Sequence, residues 1–202
     1  MIAIIDYGMG NIHSIQKALE LSGARTIVTS DAAQIGLCEK VVLPGVGAFD
    51  DAMRQLRKQG LITAINAHIY DKKPFLGICL GMQLLFEESQ EGDSGGLGIL
   101  KGQVKRFKEK SGVKIPHMGW NQLKKIIPDC PLLKNTAEGS FVYFCHSYYP
   151  LPADNKVTAA FCDYAVEFAS VVWQDNVYGV QFHPEKSQDV GLEMIKNFVE
   201  LA

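Results

Sequence analysis

Apolar strand-like segments alternate with helical segments through residues 1–88, and this alternation restricts the possible folds more than any other feature of the chain. Strands are predicted at residues 1–5, 25–29, 41–43 and 74–79. Helices are predicted at residues 12–23, 48–65 and 80–88, the first capped by Asn11 and the second broken at Gly60. Because strands that alternate with helices form a parallel sheet, the sequence predicts an α/β fold with helices on both faces of the sheet.

The second half of the chain has a different pattern. Residues 91–102 are rich in glycine and acidic residues, which indicates a loop leading into hairpins. Further strands are predicted at residues 141–146, 157–161, 166–173 and 177–182, and a closing amphipathic helix at residues 188–201. We therefore expect an open mixed sheet, mostly parallel at its centre, with antiparallel strands added late. Since no repeat or linker interrupts the chain, residues 1–202 are expected to form a single domain.

Composition excludes several classes of protein. The 202 residues are 47% apolar and 21% charged, which is enough for an ordinary hydrophobic core. A net charge of −2 without a dense basic run argues against a nucleic-acid partner, and no apolar stretch approaches the length of a membrane span. The apolar start of the chain lacks preceding basic residues, so it is expected to be a strand and not a signal peptide. The five irregularly spaced cysteines indicate free thiols in a reducing cytoplasm.

The segment GICLGMQ places Cys79 between Gly77 and Gly81, where a predicted strand passes into a predicted helix. This pattern is the cysteine version of the strand–turn–helix elbow that presents a nucleophile at the carboxyl end of a sheet. The N-terminus of the helix favours the thiolate form, and the backbone N–H of Leu80 can donate to an oxyanion. The alternative is a buried structural cysteine beside glycines that allow close helix packing.

A nucleophilic cysteine needs a base, and the segment GVQFHPEKS supplies the best candidate among the five histidines. His183 and Glu185 are two residues apart at the end of an apolar strand, so in extended chain their side chains project to one side. Pro184 excludes a helix that continues through the pair. Glu185 can then orient the imidazole and support its charge, as the third member of a catalytic triad does. The alternative is a surface His-Pro turn.

The glycine-rich segment LPGVGAF follows the third predicted strand. In hydrolases with a nucleophile elbow, a loop after an early strand supplies the second oxyanion donor, and we assign this role to Val46 and Gly47. The alternative is a turn that only begins a helix. Metal and dinucleotide sites are not expected, because the chain has no HExxH motif or Cys/His cluster, and the glycines at 8 and 10 form an incomplete fingerprint. No cofactor is therefore predicted.

The elbow, the glycine loop and the HPE segment, in this order, resemble the class I (triad) glutamine amidotransferases over nearly the whole chain. The resemblance implies that Cys79 attacks the side-chain amide of L-glutamine and forms a γ-glutamyl thioester. It also implies that His183 protonates the leaving ammonia and later activates water, while Glu185 steadies His183. The expected products are glutamate and ammonia.

Four further segments, IDYGMGNIHS, PGVGAF, IPHMGWN and HSYY, resemble the glutaminase subunits of imidazole glycerol phosphate synthases. This resemblance implies a heterodimer with a (β/α)8-barrel cyclase that receives ammonia through a tunnel. The cyclase makes imidazole glycerol phosphate and aminoimidazole carboxamide ribotide in histidine biosynthesis. The resemblance assigns glutamine binding to Gln83, Glu91, Ser147 and Tyr148. It assigns the partner interface to Asn11, Met118, Trp120, Asn121 and Lys186.

Several of these assignments have simpler alternatives. Trp120 could be a core residue, Lys186 a solvated surface charge, and Glu91 one of several glutamates facing water. Three other functions also remain open: a glutaminase that feeds another pathway such as pyridoxal phosphate synthesis, a cysteine hydrolase or redox sensor with a different substrate, and a catalytically silent binding module. The DYGMGN and HMGWN segments argue against the first, and the complete Cys–His–Glu set argues against the last.

Overall fold

The computed structural model describes residues 1–109 and 112–201. Twelve strands are present in these residues: β1 (Ile2–Ile5), β2 (Thr26–Thr29), β3 (Lys40–Leu43), β4 (Phe75–Ile78), β5 (Glu88–Ser89), β6 (Gly102–Arg106), β7 (His117–Gln122), β8 (Phe141–His146), β9 (Tyr148–Pro152), β10 (Thr158–Tyr164), β11 (Val166–Gln174) and β12 (Val177–Val180). The α-helices within the same residues are α1 (Ile12–Leu21), α2 (Ala32–Leu37), α3 (Phe49–Lys58), α4 (Leu61–Tyr70), α5 (Leu80–Gln83) and α6 (Gln188–Glu200). None of these helices is both long and apolar enough to cross a membrane.

The central sheet has seven strands in the order β10-β11-β12-β4-β3-β1-β2. The five strands from β12 to β2 pair in parallel, whereas β10 and β11 are antiparallel additions at one edge. The predicted fold class is confirmed: the sheet is open and mixed, with a parallel centre. The strand β4, which leads to the candidate nucleophile, lies between β12 and β3 near the middle of the sheet.

Helices cover both faces of this sheet. Successive residues of β1 alternate between two hydrophobic clusters, with Ile2 and Ile4 in one and Ala3 and Ile5 in the other. The first cluster also contains buried residues of α1 and α6, and the second contains buried residues of α2, α3 and α4. Because the central strands are buried on both sides, they appear in the sequence as continuous apolar runs.

Two small sheets beside the central one were not predicted from the sequence. Strands β5, β6 and β9 form one, and β7 and β8 form an antiparallel pair in which His117 lies opposite His146. The strand β7 contains glycine and polar residues, and β9 contains two prolines, so neither has the apolar alternation by which strands are recognised.

Several predicted boundaries need correction. The helix predicted at residues 80–88 ends at Gln83, because the carbonyls of Leu84 and Leu85 accept hydrogen bonds from the N–H groups of Leu97 and Leu100, 2.8 and 2.9 Å away. The helix predicted at residues 12–23 ends at Leu21, and α2 was not predicted at all.

The predicted helix cap at Asn11 and the predicted helix break at Gly60 had different outcomes. Asn11 precedes α1 as expected, but its side chain makes no capping hydrogen bond within the described residues. The break expected at Gly60 is confirmed, since this residue separates α3 from α4 and has a φ of 68°.

Candidate active site

Cys79 occupies a sharp turn between β4 and α5, with φ 55° and ψ −108°. This conformation is unusual for a residue with a side chain and is typical of functional sites. The glycines on either side are required by packing. A Cβ atom on Gly81 would lie 1.9 Å from the carbonyl oxygen of Leu43, and one on Gly77 would lie 2.6 Å from the carbonyl oxygen of Gly81. The spacing of the GxCxG segment therefore follows from the space available at the elbow.

Backbone hydrogen bonds hold the elbow against the neighbouring strand. The N–H of Cys79 donates to the carbonyl of Val180 in β12, 2.7 Å away. The carbonyl of Cys79 accepts from the N–H groups of Met82 and Gln83, at 3.1 and 3.2 Å. The Cys79 residue is 5% exposed, so the sulfur lies in a largely water-excluded position at the carboxyl end of the sheet.

The strand β12 carries the candidate base to the same place. Nδ1 of His183 lies 2.9 Å from Oε1 of Glu185, and the two side chains are 5% and 0% exposed. The prediction that extended chain brings this pair together was wrong: residues Pro184–Lys186 form a 3-10 turn. Proline is tolerated in the first position of such a turn because no N–H is needed there. The tight turn brings the carboxylate back to the imidazole.

The protonation of His183 reflects two opposing influences. Burial lowers the pKa of this imidazole, whereas hydrogen bonding and charge from Cys79 and Glu185 raise it. The net result is a pKa well above the ordinary value for histidine. An imidazole beside a sulfur and a carboxylate can hold a proton and deliver it to a leaving group.

A cavity of about 350 Å³ opens over the sulfur. Its lining includes the following residues predicted for catalysis, oxyanion binding, glutamine binding or partner contact: Val46, Gly47, Cys79, Leu80, Gln83, Glu91, Ser147, Tyr148, His183 and Lys186. Residues from distant parts of the sequence thus meet at one cavity of a size that suits a small metabolite. Their roles in binding and catalysis remain predictions.

Two of the predicted glutamine-binding residues already have partners within the chain. Nε2 of Gln83 donates to the carbonyl of Tyr148 at 2.9 Å and to Oε1 of Gln181 at 3.0 Å. Oε2 of Glu91 accepts from the N–H of Phe49, 2.8 Å away, at the start of α3. Burial raises the pKa of the Glu91 carboxyl. Glu91 is therefore half-buried against a helix N-terminus instead of facing open water.

Of the residues predicted for a partner interface, Lys186 lines the cavity. Met118 and Trp120 are 62% and 46% exposed on β7, so the alternative that Trp120 is a core residue was wrong. Lys186 is exposed, with Nζ 5.9 Å from the ring of Tyr143. Asn11 and Asn121 are half-buried and do not line the cavity.

Three cavity-side residues were missed by the sequence analysis. His146 lines the cavity, His117 has Nδ1 3.0 Å from Nε2 of His146, and Gln181 has Nε2 3.7 Å from the sulfur of Cys79. The first two belong to quoted segments, but their contact depends on the β7–β8 pairing, which was not predicted. Gln181 lies in the GVQFHPE segment two residues before His183, and this proximity could have indicated that Gln181 lies near the active site.

Comparisons with known proteins agree with this geometry. The family model described as glutamine amidotransferase class-I matches residues 3–201. The protein named imidazole glycerol phosphate synthase subunit HisH from Synechococcus elongatus is 51% identical over 199 residues, which cover 98% of this chain and 92% of the relative. The protein of the same name from Syntrophotalea carbinolica is 50% identical over an alignment of 207 residues that covers all of both chains.

Solved structures share the fold at much lower identity. The PurLQS structure from Thermotoga maritima has a TM-score of 0.71 at 21% identity, covering 98% of this chain and 94% of that one. The glutaminase domain of CTPS from Trypanosoma brucei has a TM-score of 0.67 at 15% identity, covering 100% and 94%. The family model matches almost the full length of the chain, and the relatives share half of their residues with it. The chain therefore belongs to the class I glutamine amidotransferases.

Proposed function

We propose that this chain is the glutamine-hydrolysing subunit of an imidazole glycerol phosphate synthase and that it supplies ammonia to a cyclase subunit in histidine biosynthesis. The observation that carries the proposal is the meeting of Cys79, His183 and the glycine loop at one cavity, in a chain half-identical to proteins named as this subunit. Residues 1–202 act as one amidotransferase domain in the cytoplasm.

The reaction begins with attack of the Cys79 thiolate on the side-chain amide carbon of L-glutamine. The backbone N–H groups of Leu80 and of the Val46–Gly47 segment stabilise the negative charge that develops on the amide oxygen. When the C–N bond breaks, His183 gives its proton to the departing nitrogen, and ammonia leaves a γ-glutamyl thioester on the sulfur. The charge of Glu185 keeps the imidazole oriented throughout.

Hydrolysis of the thioester reverses these roles. His183, now neutral, takes a proton from water, and the resulting hydroxide attacks the thioester carbon. The C–S bond breaks, glutamate leaves, and the thiolate–imidazolium pair is restored. No oxidant, metal or organic cofactor enters the balance, and each cycle consumes one glutamine and one water.

Glutamine is held by Gln83, Glu91, Ser147 and Tyr148. Burial and the acidic residues Asp50 and Asp51 raise the pKa of Glu91, and its carboxylate already accepts the Phe49 N–H. Gln83 has both amide hydrogens engaged within the chain, so its Oε1 is the atom available for a donor group of the amino acid.

The partner is a (β/α)8-barrel cyclase that forms a heterodimer with this chain. Ammonia is mostly protonated near neutral pH and is then not a nucleophile, so direct transfer between the subunits preserves its reactivity. The exposed apolar side chains of Met118 and Trp120 beside the cavity support an interface there, because such patches are typical of docking surfaces. Asn11, Asn121 and Lys186 complete this interface.

Docking also controls the oxyanion site. Gly47 has a φ of 101°, which permits backbone arrangements that a residue with a side chain rarely adopts. We infer that the peptide between Val46 and Gly47 points away from the oxyanion in the isolated chain, and that docking of the cyclase with its ribonucleotide ligand turns it. The isolated chain is therefore nearly inactive.

The test is glutamine turnover by the chain alone and with the cyclase and its ribonucleotide ligand. We expect turnover to rise by at least about 10²-fold in the complex, the effect typical of one oxyanion donor. Equal rates in both states would contradict the docking control, and absence of turnover in both would contradict the glutaminase assignment.

Covalent labelling provides a second, independent measurement. Mass spectrometry after exposure of the complex to 6-diazo-5-oxo-norleucine should locate the adduct on Cys79. A pull-down with the cyclase and with the synthase of pyridoxal phosphate synthesis separates the two pathways, and we expect capture only by the cyclase. An adduct on another residue, or capture by the second synthase, would contradict the assignment.

A further inference from the structure

We propose that His117, His146 and Gln181 are positioning residues, and that they connect Asn121 on β7 to the sulfur of Cys79 through one chain of hydrogen bonds. The inference deepens the proposed function and rests on it, because it concerns how the glutamine site of that same cavity is held. The three side chains belong to residues that are 3%, 6% and 0% exposed.

The outer half of the chain of hydrogen bonds runs through two imidazoles. Nδ2 of Asn121 lies 3.2 Å from Nε2 of His117, and Nδ1 of His117 lies 3.0 Å from Nε2 of His146. Nδ1 of His146 lies 2.8 Å from the carbonyl oxygen of Tyr148. All four ring nitrogens of the two histidines are thus engaged, and the last contact reaches the strand that lines the cavity.

The ring nitrogens that carry the protons of His117 and His146 can be deduced independently from either end of this chain of hydrogen bonds. Oδ1 of Asn121 accepts from the N–H of Gln122, and Nδ2 also donates to the carbonyl of Asp163, so the Asn121 amide faces His117 with a donor. His117 must then accept at Nε2 and carry its proton on Nδ1. From the other end, a carbonyl can only accept, so His146 must carry its proton on Nδ1 and accept at Nε2. Both directions give the same neutral tautomers.

The inner half begins at the carbonyl of Tyr148, which also accepts from Nε2 of Gln83 at 2.9 Å. The second hydrogen of that Nε2 goes to Oε1 of Gln181, 3.0 Å away. This contact fixes the orientation of the Gln181 amide, so its Nε2 faces the sulfur of Cys79 at 3.7 Å. A donor at this distance can hydrogen-bond to the sulfur that attacks the amide.

This arrangement has two consequences for the cavity. The Tyr148 carbonyl is fixed by donors from both sides, which holds β9 against the elbow. The Gln83 amide is fixed with Oε1 as its remaining polar atom, which is what binding of an amino group requires. Loss of the outer contacts should therefore weaken glutamine binding, whereas loss of Gln181 should slow the attack by the sulfur.

Packing alone is the competing explanation for the two histidines. The ring of His117 stacks between Phe144 and Tyr164, with centroids 4.6 and 3.9 Å away. The ring of His146 contacts Phe107 at 5.3 Å. An apolar side chain could fill either space, so a useful test must keep apolar bulk there and remove only the hydrogen bonds.

The experiment compares His117→Phe, His146→Leu and His146→Asn in the complex with the cyclase. We expect the KM for glutamine to rise about tenfold in the first two with a smaller change in kcat. His146→Asn keeps a donor where Nδ1 was and loses only the contact with His117, so its KM should rise no more than that of His117→Phe. His68→Phe is the matched control, because His68 is 2% exposed and lies on α4, on the opposite face of the sheet. An unchanged KM in His117→Phe and His146→Leu would overturn the proposal.

Gln181→Met tests the inner half, since methionine has a similar length and no amide. We expect kcat and the rate of labelling by 6-diazo-5-oxo-norleucine to fall about tenfold or more, with a smaller effect on KM. Labelling at the unaltered rate would overturn the role of Gln181.

Nitrogen NMR of the unaltered chain labelled with ¹⁵N-histidine gives a readout that does not depend on activity. At pH 7 both imidazoles should be neutral and protonated on Nδ1, and assignment uses the single variants. Protonation on Nε2 of either ring would overturn the proposal even if the complex hydrolyses glutamine. The expected tautomers without any glutaminase activity would instead contradict the proposed function alone.

Discussion

Two pairs of buried side chains, each with one histidine lining the same cavity, hold their protons in opposite ways. His183 faces Glu185 at 2.9 Å, and His117 faces His146 at 3.0 Å, so the two contacts have almost the same length. The net pKa of His183 lies above the ordinary value, although burial alone lowers it. Burial lowers the pKa of His117 to about 4 and that of His146 to about 3.

The difference comes from the charge of the partner. A carboxylate and a sulfur stabilise imidazolium, whereas a second neutral imidazole offers no charge to offset desolvation. Only the first pair can exchange a proton with a reacting group near neutral pH, and the second is suited to a fixed pattern of hydrogen bonds. The carboxylate two residues after His183 indicates this role from the sequence, whereas nothing in the sequence indicates that His117 and His146 contact each other.

Removal of the Cys79 sulfur, which lies beside the first pair, should have the largest effect on glutamine hydrolysis. Cys79→Ala takes away the nucleophile and one of the two groups that raise the pKa of His183. We expect glutamine hydrolysis in the complex to be abolished, while synthesis by the cyclase with added ammonium salt continues. Parallel assays of the two nitrogen sources make the measurement. Loss of both activities would mean that the role of Cys79 has been misassigned.

Glu185→Gln should convert the first pair into a neutral pair like the second. The amide keeps the size of the side chain and a possible hydrogen bond, but it removes the charge that supports imidazolium. We expect kcat for glutamine to fall by roughly 10³–10⁴-fold, by analogy with the loss seen when the acid of a serine-protease triad is replaced. Steady-state kinetics of the complex measures this, and a loss of less than tenfold would show that charge at Glu185 is unimportant.

The two pairs also differ in how far the sequence predicts them. Cys79 and the His183–Glu185 pair lie in short segments whose glycine and proline residues mark the local geometry, so their meeting at the end of a parallel sheet could be predicted. The exact turn at Pro184 could not, since both extended chain and a 3-10 turn bring the side chains together. The contact of His117 with His146 requires a hairpin between β7 and β8, and β7 lacks an apolar alternation.

Contacts between distant parts of the chain also explain why the helix predicted at residues 80–88 is too long. Leu84, Leu85 and Phe86 fit a helical pattern, yet all three are 0% exposed and belong to the core on one face of the sheet. Their carbonyls pair with a loop that follows in the sequence and has no periodic pattern. Tertiary hydrogen bonding outweighs local propensity here, and only the folded chain reveals it.

The smallest effect that should still distinguish the two histidine pairs is the change in the free energy of unfolding at acid pH. Above pH 6.5 both folded and unfolded chains hold His117 and His146 neutral, so these residues do not change stability with pH. Below pH 6.5 the unfolded chain binds protons at these histidines and the folded chain does not, because their folded pKa values are about 4 and about 3. The free energy of unfolding therefore falls as the pH falls, by up to about 1.4 kcal/mol per pH unit for each histidine.

His183 has the opposite sign, since its raised pKa adds stability that is present at low pH and lost as the pH rises through the folded value. It therefore does not contribute to an acid-side loss. Urea unfolding of the unaltered chain and of His117→Phe between pH 6.5 and 5 makes the measurement, and the difference between the two cancels the titration of carboxylates elsewhere. We expect the slope against pH to be smaller in His117→Phe by about 1 kcal/mol per pH unit. Equal slopes would mean that His117 binds its proton as readily in the folded chain as in the unfolded one, and that the contrast between the two buried pairs does not exist.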